Sequence, residues 1–471
     1  MSTLYEQLKA YGASDYYGFH MPGHKRNPRL MEGLPCEIDI TEIEGFDDLH
    51  HPEGILKNAQ EEAAGVWHAG ETFFLVNGST VGILSALTGL LEEGDHVLLA
   101  RNAHQSAYHA VELGKFFPVY LYPDIDPETD LARGITAQAV EEALAADPKI
   151  KAVLIASPTY EGTVSEVDRI ADAAHEKGVP LVVDEAHGAH FGFHPYFPEN
   201  ANELGADVVI CSLHKTLPAL TQTALLHLNG ERINRERIIR SLHMLQTSSP
   251  SYVLMASIDA CTQRLKEDKD ALFDPYVALL CGLRTRLKEL DHLKLVSTGV
   301  SDPSKLVLSV KEAGISSLEL YRILLEEYHL QMEMAAGSYC LAMTSVGDTA
   351  DGFRRLEEAL FAIDGSLSGR RETEPAPAFT SGPAPEMVCT SWEMRRQADA
   401  HPNKVKERSW EESVGSISAE YAYLYPPGSP LLVPGERISA RTAETAAAYE
   451  KAGFSLKGIA KSGRIEVFED G

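Results

Sequence analysis

Between about residues 60 and 230, short apolar runs rich in β-branched residues alternate with longer stretches whose apolar positions recur every three to four residues. The runs predict strands at 73–76, 96–100, 117–122, 152–157, 181–184, 208–212 and 224–228, and helical spacing predicts helices such as 81–91 and 140–146. This alternation implies an α/β fold whose large domain holds a mostly parallel, mixed sheet flanked by helices. In such a sheet, ligands sit outside the carboxyl ends of the strands, so polar residues just past a strand are the ones that matter. A smaller α+β domain is expected at 291–365, with strands at 293–297 and 306–310 and a helix at 316–327. Residues 366–386 have the Pro, Gly and Ser content of a linker, which leaves an N-terminal segment (1–55), a large domain (56–290) and a C-terminal α+β domain (387–471). In the tail, Pro426, Pro427, Pro430 and Pro434 bracket an apolar run and predict a shaped loop ending in Pro434-Gly435-Glu436. No internal repeat is present.

Composition narrows the partners. The chain has 471 residues, with 42 Lys and Arg against 69 Asp and Glu, a formal charge of −27. A surface so negative repels phosphate backbones and anionic lipid, so neither nucleic acid nor membrane is expected as a partner. Cys36, Cys211, Cys261, Cys281, Cys340 and Cys389 form no CxxC pair and read as buried thiols rather than a disulfide framework or zinc knuckle. The first residues lack a basic start followed by an apolar run, and no segment sustains about 18 uncharged apolar residues, so a cytoplasmic protein is expected.

Chemistry concentrates at strand ends. The run 208–212 ends in Ser212-Leu213-His214-Lys215-Thr216, and a lysine there is partly desolvated, which makes its amine available to a carbonyl. One βαβ unit earlier, the run to Val183 ends in Asp184-Glu185-Ala186-His187-Gly188, which sets a carboxylate and an amine at one sheet edge. Asn77-Gly78-Ser79-Thr80 follows the first strand and opens a helix. Free backbone N–H groups, two hydroxyls and a glycine there suit a phosphate, although the same residues also suit simple capping. His104, just past the second strand, adds a flat ring.

Phosphate cup, aromatic ring, carboxylate and lysine in that chain order resemble the fold-type I pyridoxal phosphate enzymes, and within them the Orn/Lys/Arg decarboxylase family. The resemblance rests on Phe19-His20-Met21-Pro22-Gly23-His24-Lys25, Asp47-Asp48-Leu49-His50, Asp184 to Gly188, Ser212 to Thr216 with Leu220-Thr221-Gln222, and Tyr425 to Gly428 with Pro434-Gly435-Glu436. It spans nearly the whole chain and points to the short members, since no room precedes His20 for an N-terminal wing domain. It implies that Lys215 holds pyridoxal 5′-phosphate covalently, Asp184 pairs with the pyridine nitrogen and His104 stacks on the ring. Gly78, Ser79 and Thr80, with Ser212 and His214, would cradle the phosphate. His187 would touch the ring's edge or support Asp184, and Thr159 would sit near the phenolic oxygen. Thr247 and Ser248 would reach a neighbouring subunit's cofactor, so at least a homodimer is implied. Gln105 and Ser429 depart from the family's usual lysine and aliphatic residue.

The activity implied is decarboxylation of a basic amino acid in polyamine biosynthesis, arginine slightly favoured over lysine and ornithine. The same cofactor contacts also serve aminotransferases and β-eliminating lyases, and a catalytically silent cofactor-binding partner is the non-enzymatic reading. Arg437 and Arg441 do not form an aminotransferase-type carboxylate clamp, and Lys215 and Asp184 are both intact. Asp184 to His187 also spells a helicase box, but Gly89 to Gly94 continues with Asp95 where a phosphate loop needs lysine. Glycines and Pro195 break the spacing of His187, His190 and His194, so no metal is expected. His20, His24, His50 and His51 could be loop hydrogen-bonders or line an entrance. Glu420 could meet a cationic substrate end or be a solvated tail residue.

Overall fold

A computed structural model describes residues 2–17, 19–27, 29, 31–368, 384–425 and 428–469. In chain order the first elements are α1 (Leu4–Gly12), α2 (Ile55–Val66), β1 (Glu71–Leu75), α3 (Gly78–Leu90), β2 (His96–Ala100), α4 (Gln105–Gly114), β3 (Phe117–Leu121), α5 (Ala137–Ala146), β4 (Ile150–Ala156) and α6 (Val167–Glu176). There follow β5 (Leu181–Asp184), β6 (Val208–Ser212), α7 (Leu213–Thr216), β7 (Ala224–Leu228), α8 (Arg235–Leu245) and α9 (Tyr252–Leu287), the last broken at Asp268 (φ −153°, ψ 41°). The remainder comprises β8 (Lys294–Val296), β9 (Lys305–Ser309), α10 (Ser317–Glu326), β10 (Met334–Ala336), β11 (Tyr339–Met343), α11 (Ala350–Ser366), α12 (Ser391–Ala400), β12 (Val405–Ser409), β13 (Ile417–Ser418), β14 (Ala422–Tyr425), β15 (Ser429–Leu432), α13 (Ala440–Lys451), β16 (Ser455–Lys457) and β17 (Arg464–Phe468).

The chain packs as two compact units, residues 1–91, 167–275 and 345–347, and residues 92–166, 276–344 and 348–471. The first carries the strands β1-β7-β6-β5 of the large mixed sheet, with β5 and β6 parallel and β7 antiparallel to both its neighbours. β5, β6 and β7 are buried along their full length, because helices cover both faces of such a sheet, and that explains their unbroken apolar runs. The second unit carries β4-β2-β3, all parallel, a four-stranded antiparallel sheet β10-β11-β9-β8, and two three-stranded sheets near the C-terminus, β12-β17-β13 and β15-β14-β16.

The predicted strands 181–184, 208–212, 224–228 and 96–100 match to the residue, and the others shift by one or two positions. α3 starts three residues before the apolar period does, because Gly78, Ser79 and Thr80 enter the helix. The hairpin of β10 and β11 was not foreseen: strands of three and five residues around Gly337-Ser338 are too short to show alternation. Four cysteines are buried, while Cys281, in α9, and Cys389, just ahead of α12, are partly exposed. The linker at 366–386 falls mostly outside the described residues, as do Pro426 and Pro427. The shaped tail loop is an antiparallel pair, β14 with β15.

Candidate active site

In the first unit, three chain segments deliver polar groups to one end of the sheet. β5 ends at Asp184 and β6 at Ser212, and the parallel register sets Asp184 opposite Ile210, two residues short of Ser212. Asp184 is buried, and one carboxylate oxygen accepts the Ala186 N–H at 3.2 Å. The single turn α7 follows Ser212 directly and carries His214 and Lys215.

The Lys215 amine and Nε2 of His187 are 3.1 Å apart. An ammonium donates to that nitrogen when the imidazole proton sits on Nδ1, so His187 orients the lysine.

α3 starts at the same end. Gly78 has φ +70°, a conformation that favours glycine, and its N–H donates to the Gln222 carbonyl at 3.0 Å. The N-cap residue Asn77 makes no side-chain capping bond; its carboxamide oxygen accepts the Thr247 N–H at 3.0 Å instead. Simple capping therefore does not account for this sequence: the Gly78 N–H goes to Gln222, and the N–H groups after it in the first turn of α3 point along the helix start as donors. The hydroxyls of Ser79 and Ser212 lie 2.5 Å apart, joining the α3 start to the β6 end. Two hydroxyls beside a helix N-terminus form a donor set that fits a phosphate, and Thr80 is next on the same turn. With a carboxylate and a half-buried amine at the neighbouring strand ends, the residues fit pyridoxal phosphate.

His214 is half-buried, with Nδ1 at 2.9 Å from the Thr223 carbonyl oxygen. A carbonyl only accepts, so the ring proton is on Nδ1. Burial lowers the His214 pKa, outweighing the Thr223 bond, and Lys215 lowers it further. The neutral ring then offers Nε2 as an acceptor, and donating to a phosphate requires the charged ring.

The exposed Thr247 and Ser248 follow α8. The Thr247 carbonyl accepts from His50 Nε2 at 2.8 Å, and Gln246 bonds the backbone of β1 and its exit, taking the Val76 N–H at 2.9 Å. Asn77 and Gln246, which motif reading missed, thus staple this segment to the α3 start. Asn77 stood at the head of the Gly78-Ser79-Thr80 stretch and Gln246 at the head of the Thr247-Ser248 stretch, and in each case proximity was the available signal.

The second unit holds the other two residues. His104, exposed, is the N-cap of α4, with Nδ1 accepting the Ser106 N–H at 3.2 Å. Thr159 is buried in a turn where its hydroxyl accepts the Thr163 N–H at 3.1 Å. Glu420 does not behave as a solvated tail residue: its two oxygens accept the Ala460 and Glu466 N–H groups, both at 2.9 Å. His20 bonds Tyr11 and the Met21 carbonyl, and His24 bonds Asp39, which are loop-holding roles.

The model of the Orn/Lys/Arg decarboxylase major domain matches residues 2–305, and that of the C-terminal domain matches residues 376–453. The chain is 36% identical over 453 residues to YaaO of Bacillus subtilis, covering 93% of this chain and 92% of that one. It is 32% identical to the arginine decarboxylase of the same organism, covering 93% and 91%. Among solved structures, the Francisella novicida lysine decarboxylase LdcF superposes with a TM-score of 0.82 at 19% identity, covering 99% of this chain and 81% of that one, a likeness of fold.

Proposed function

The chain belongs to the Orn/Lys/Arg decarboxylase family, and we propose that it decarboxylates arginine to agmatine in polyamine biosynthesis, ahead of lysine or ornithine. It is a pyridoxal-phosphate-dependent amino-acid decarboxylase of fold type I. Arginine is favoured because the similarity to an arginine decarboxylase runs through nearly the full length of both chains.

The observation that carries the site assignment is the Lys215–His187 pair beside Asp184 and the Ser79–Ser212 hydroxyls. In this reading the α3 N–H groups, Gly78, Ser79, Thr80 and Ser212 hold the phosphate, joined by His214 when its ring is charged. Asp184 would keep a proton on the pyridine nitrogen, Lys215 would hold the cofactor covalently, His104 would stack on its ring, and Thr159 would sit near its phenolic oxygen. When bound, the cofactor supplies the electron sink for the pair left by the departing carboxylate. His187 holds the Lys215 amine at a fixed place, from which the lysine would give the α-carbon a proton in the position the carboxylate has left. The burial of the β5 and β6 ends keeps bulk water from the Asp184 carboxylate, which would strengthen its attraction to a pyridinium.

Thr247 and Ser248 are exposed next to Met244, itself 67% exposed, and Leu245, as a segment serving a second subunit would be. The working unit in this reading is at least a homodimer, and the location cytoplasmic. Among the described residues no helix is long and apolar enough to cross a membrane.

The test is carbon dioxide release from arginine, lysine and ornithine separately, with pyridoxal phosphate supplied and Lys215→Ala as control. Release from arginine above the others, absent in the variant along with the protein's visible absorbance, is expected. Preference for lysine or ornithine overturns the substrate assignment, and an active, coloured Lys215→Ala overturns the role of the lysine.

A further inference from the structure

The motif Pro434-Gly435-Glu436 has no part in the chemistry above, yet its glutamate is 1% exposed. Its partner is Arg101, 7% exposed, the residue that follows β2. The two guanidinium nitrogens Nη1 and Nη2 donate to Oε1 and Oε2 of Glu436 at 2.7 and 2.9 Å. The rings of Tyr120, Tyr122 and Tyr108 lie 4.8, 5.7 and 5.9 Å from the guanidinium carbon and screen the pair from water.

Stability alone does not account for such a pair. Taking two charges out of water costs about as much as their attraction returns, and apolar side chains of the same volume would pack there as stably. What two parallel N–H···O bonds add is direction, since they fix the plane of the guanidinium. The rest of Arg101 is fixed too: its N–H donates to the Leu121 carbonyl at 2.7 Å, and its carbonyl accepts the Tyr108 hydroxyl at 2.5 Å. Three residues on, past a turn closed by the Ala103 N–H on the Ala100 carbonyl at 2.9 Å, stands His104.

The carboxylate is delivered with equal rigidity. Gly435 has φ +92°, and a Cβ there would lie 2.1 Å from the Cys389 carbonyl oxygen, so only glycine fits. The Gly435 N–H donates to Ser418 at 2.8 Å, and Glu436 Oε2 also accepts the Val433 N–H at 2.9 Å. Ser429, on β15, places its hydroxyl 3.5 Å from the Asn102 carbonyl, against the same turn.

We propose that Arg101 and Glu436 are positioning residues for the His104 ring, so that the C-terminal chain sets the angle at which that ring is presented. The proposal rests on the reading of His104 as the stacking residue. The Pro-Gly-Glu turn acts as an anchor: it holds Arg101, Arg101 holds the turn after β2, and that turn presents His104.

The test uses the full-length apoenzyme of the parent, His104→Ala, the double variant Arg101→Met/Glu436→Met, and the triple variant. Each is titrated with pyridoxal phosphate, following the circular dichroism induced in the cofactor's visible band, with thermal midpoints measured in parallel. His104→Ala is expected to weaken affinity about tenfold and to shrink the induced signal. The double variant is expected to keep the parent's midpoint yet show the same losses, and the triple to lose nothing further, as residues acting through one another do. Parent-like affinity and signal in the double variant, alongside losses in His104→Ala, overturn the positioning role. No change in His104→Ala overturns the stacking assignment and this proposal with it. Should the double variant fail to fold, Glu436→Asp, which keeps the charge on an arm one methylene shorter, is read the same way. Parent-like affinity and signal there overturn the proposal.

Discussion

Glu185, one residue past the Asp184 carboxylate, is 2% exposed and carries no catalytic duty. Its oxygens accept the Ala201 N–H at 2.9 Å and the Cys211 thiol at 3.5 Å, so it ties the end of β5 to the end of β6 and to the loop at 201. Burial raises its pKa from 4.5 to about 8, against the lowering by those two donors. Between those values the folded protein keeps a proton that the unfolded chain has released, so stability falls as pH rises through the window. The contribution is fully present below 4.5 and lost once pH passes 8. Glu185→Gln keeps the Ala201 bond and cannot ionise. Relative to the parent, its thermal stability should therefore climb from pH 5 to 9 and end ahead, because above the window the parent holds a desolvated charge in its interior that the amide lacks. A variant-minus-parent difference that is flat with pH would show that Glu185 does not titrate there. Asp184, Ser212 and Lys215 were legible in the sequence because each stands at or just past the end of a strand whose apolar run marks that end. The tie from Glu185 to Cys211 and Ala201 was not, because it depends on which strands lie side by side.

At the scale of elements, α3 shows how a pattern can be half read. Its period of large apolar residues announces one buried face, through Ile83 and Leu87, but Gly82, Ser85, Ala86 and Gly89 form a second, also buried. Small residues at that spacing let neighbours approach: a Cβ on Gly82 would meet the Leu75 side chain at 2.8 Å, and one on Gly89 would lie 2.5 Å from the Ile238 Cα of α8. A face made of absent side chains gives no hydrophobic signal, so this packing was invisible beforehand. Gly89→Ala sets two effects against each other. Alanine favours the helix by about 1 kcal/mol, while overpacking against a backbone costs about 1–3 kcal/mol. Because the atom in the way belongs to the α8 main chain, the second should win. Urea unfolding should show a net loss, and a stabilised variant would mean that α8 can move aside. β12 was also unread, since Lys406, Glu407 and Arg408 interrupt any apolar alternation and its pairing partner β17 lies some 60 residues away.

At the scale of the molecule, the alternation of strands and helices was enough for the α/β class, but the grouping of residues into compact units was not readable. Residues 92–166 pack with 276–344 and 348–471, a division set by tertiary contact rather than by any boundary in composition. The formal charge of −27 is legible from the start, and it acts on the two small molecules of the proposed reaction with opposite sign. A basic amino acid carries net positive charge and is drawn in by the field, whereas pyridoxal phosphate is an anion and is held off until the local donors take over. Salt shortens the reach of that field, from about 10 Å at 0.1 M to about 3 Å at 1 M. Raising the salt should therefore increase KM for arginine several-fold with kcat unchanged, while speeding the association of pyridoxal phosphate with the apoenzyme. A general weakening by salt would slow both encounters, so the opposed signs separate the field of the whole molecule from damage to the site. Stopped-flow capture of the cofactor and steady-state kinetics over the same salt series make the comparison. If both respond in the same direction, only the charges beside the bound ligands matter and the remaining acidic surface serves solubility.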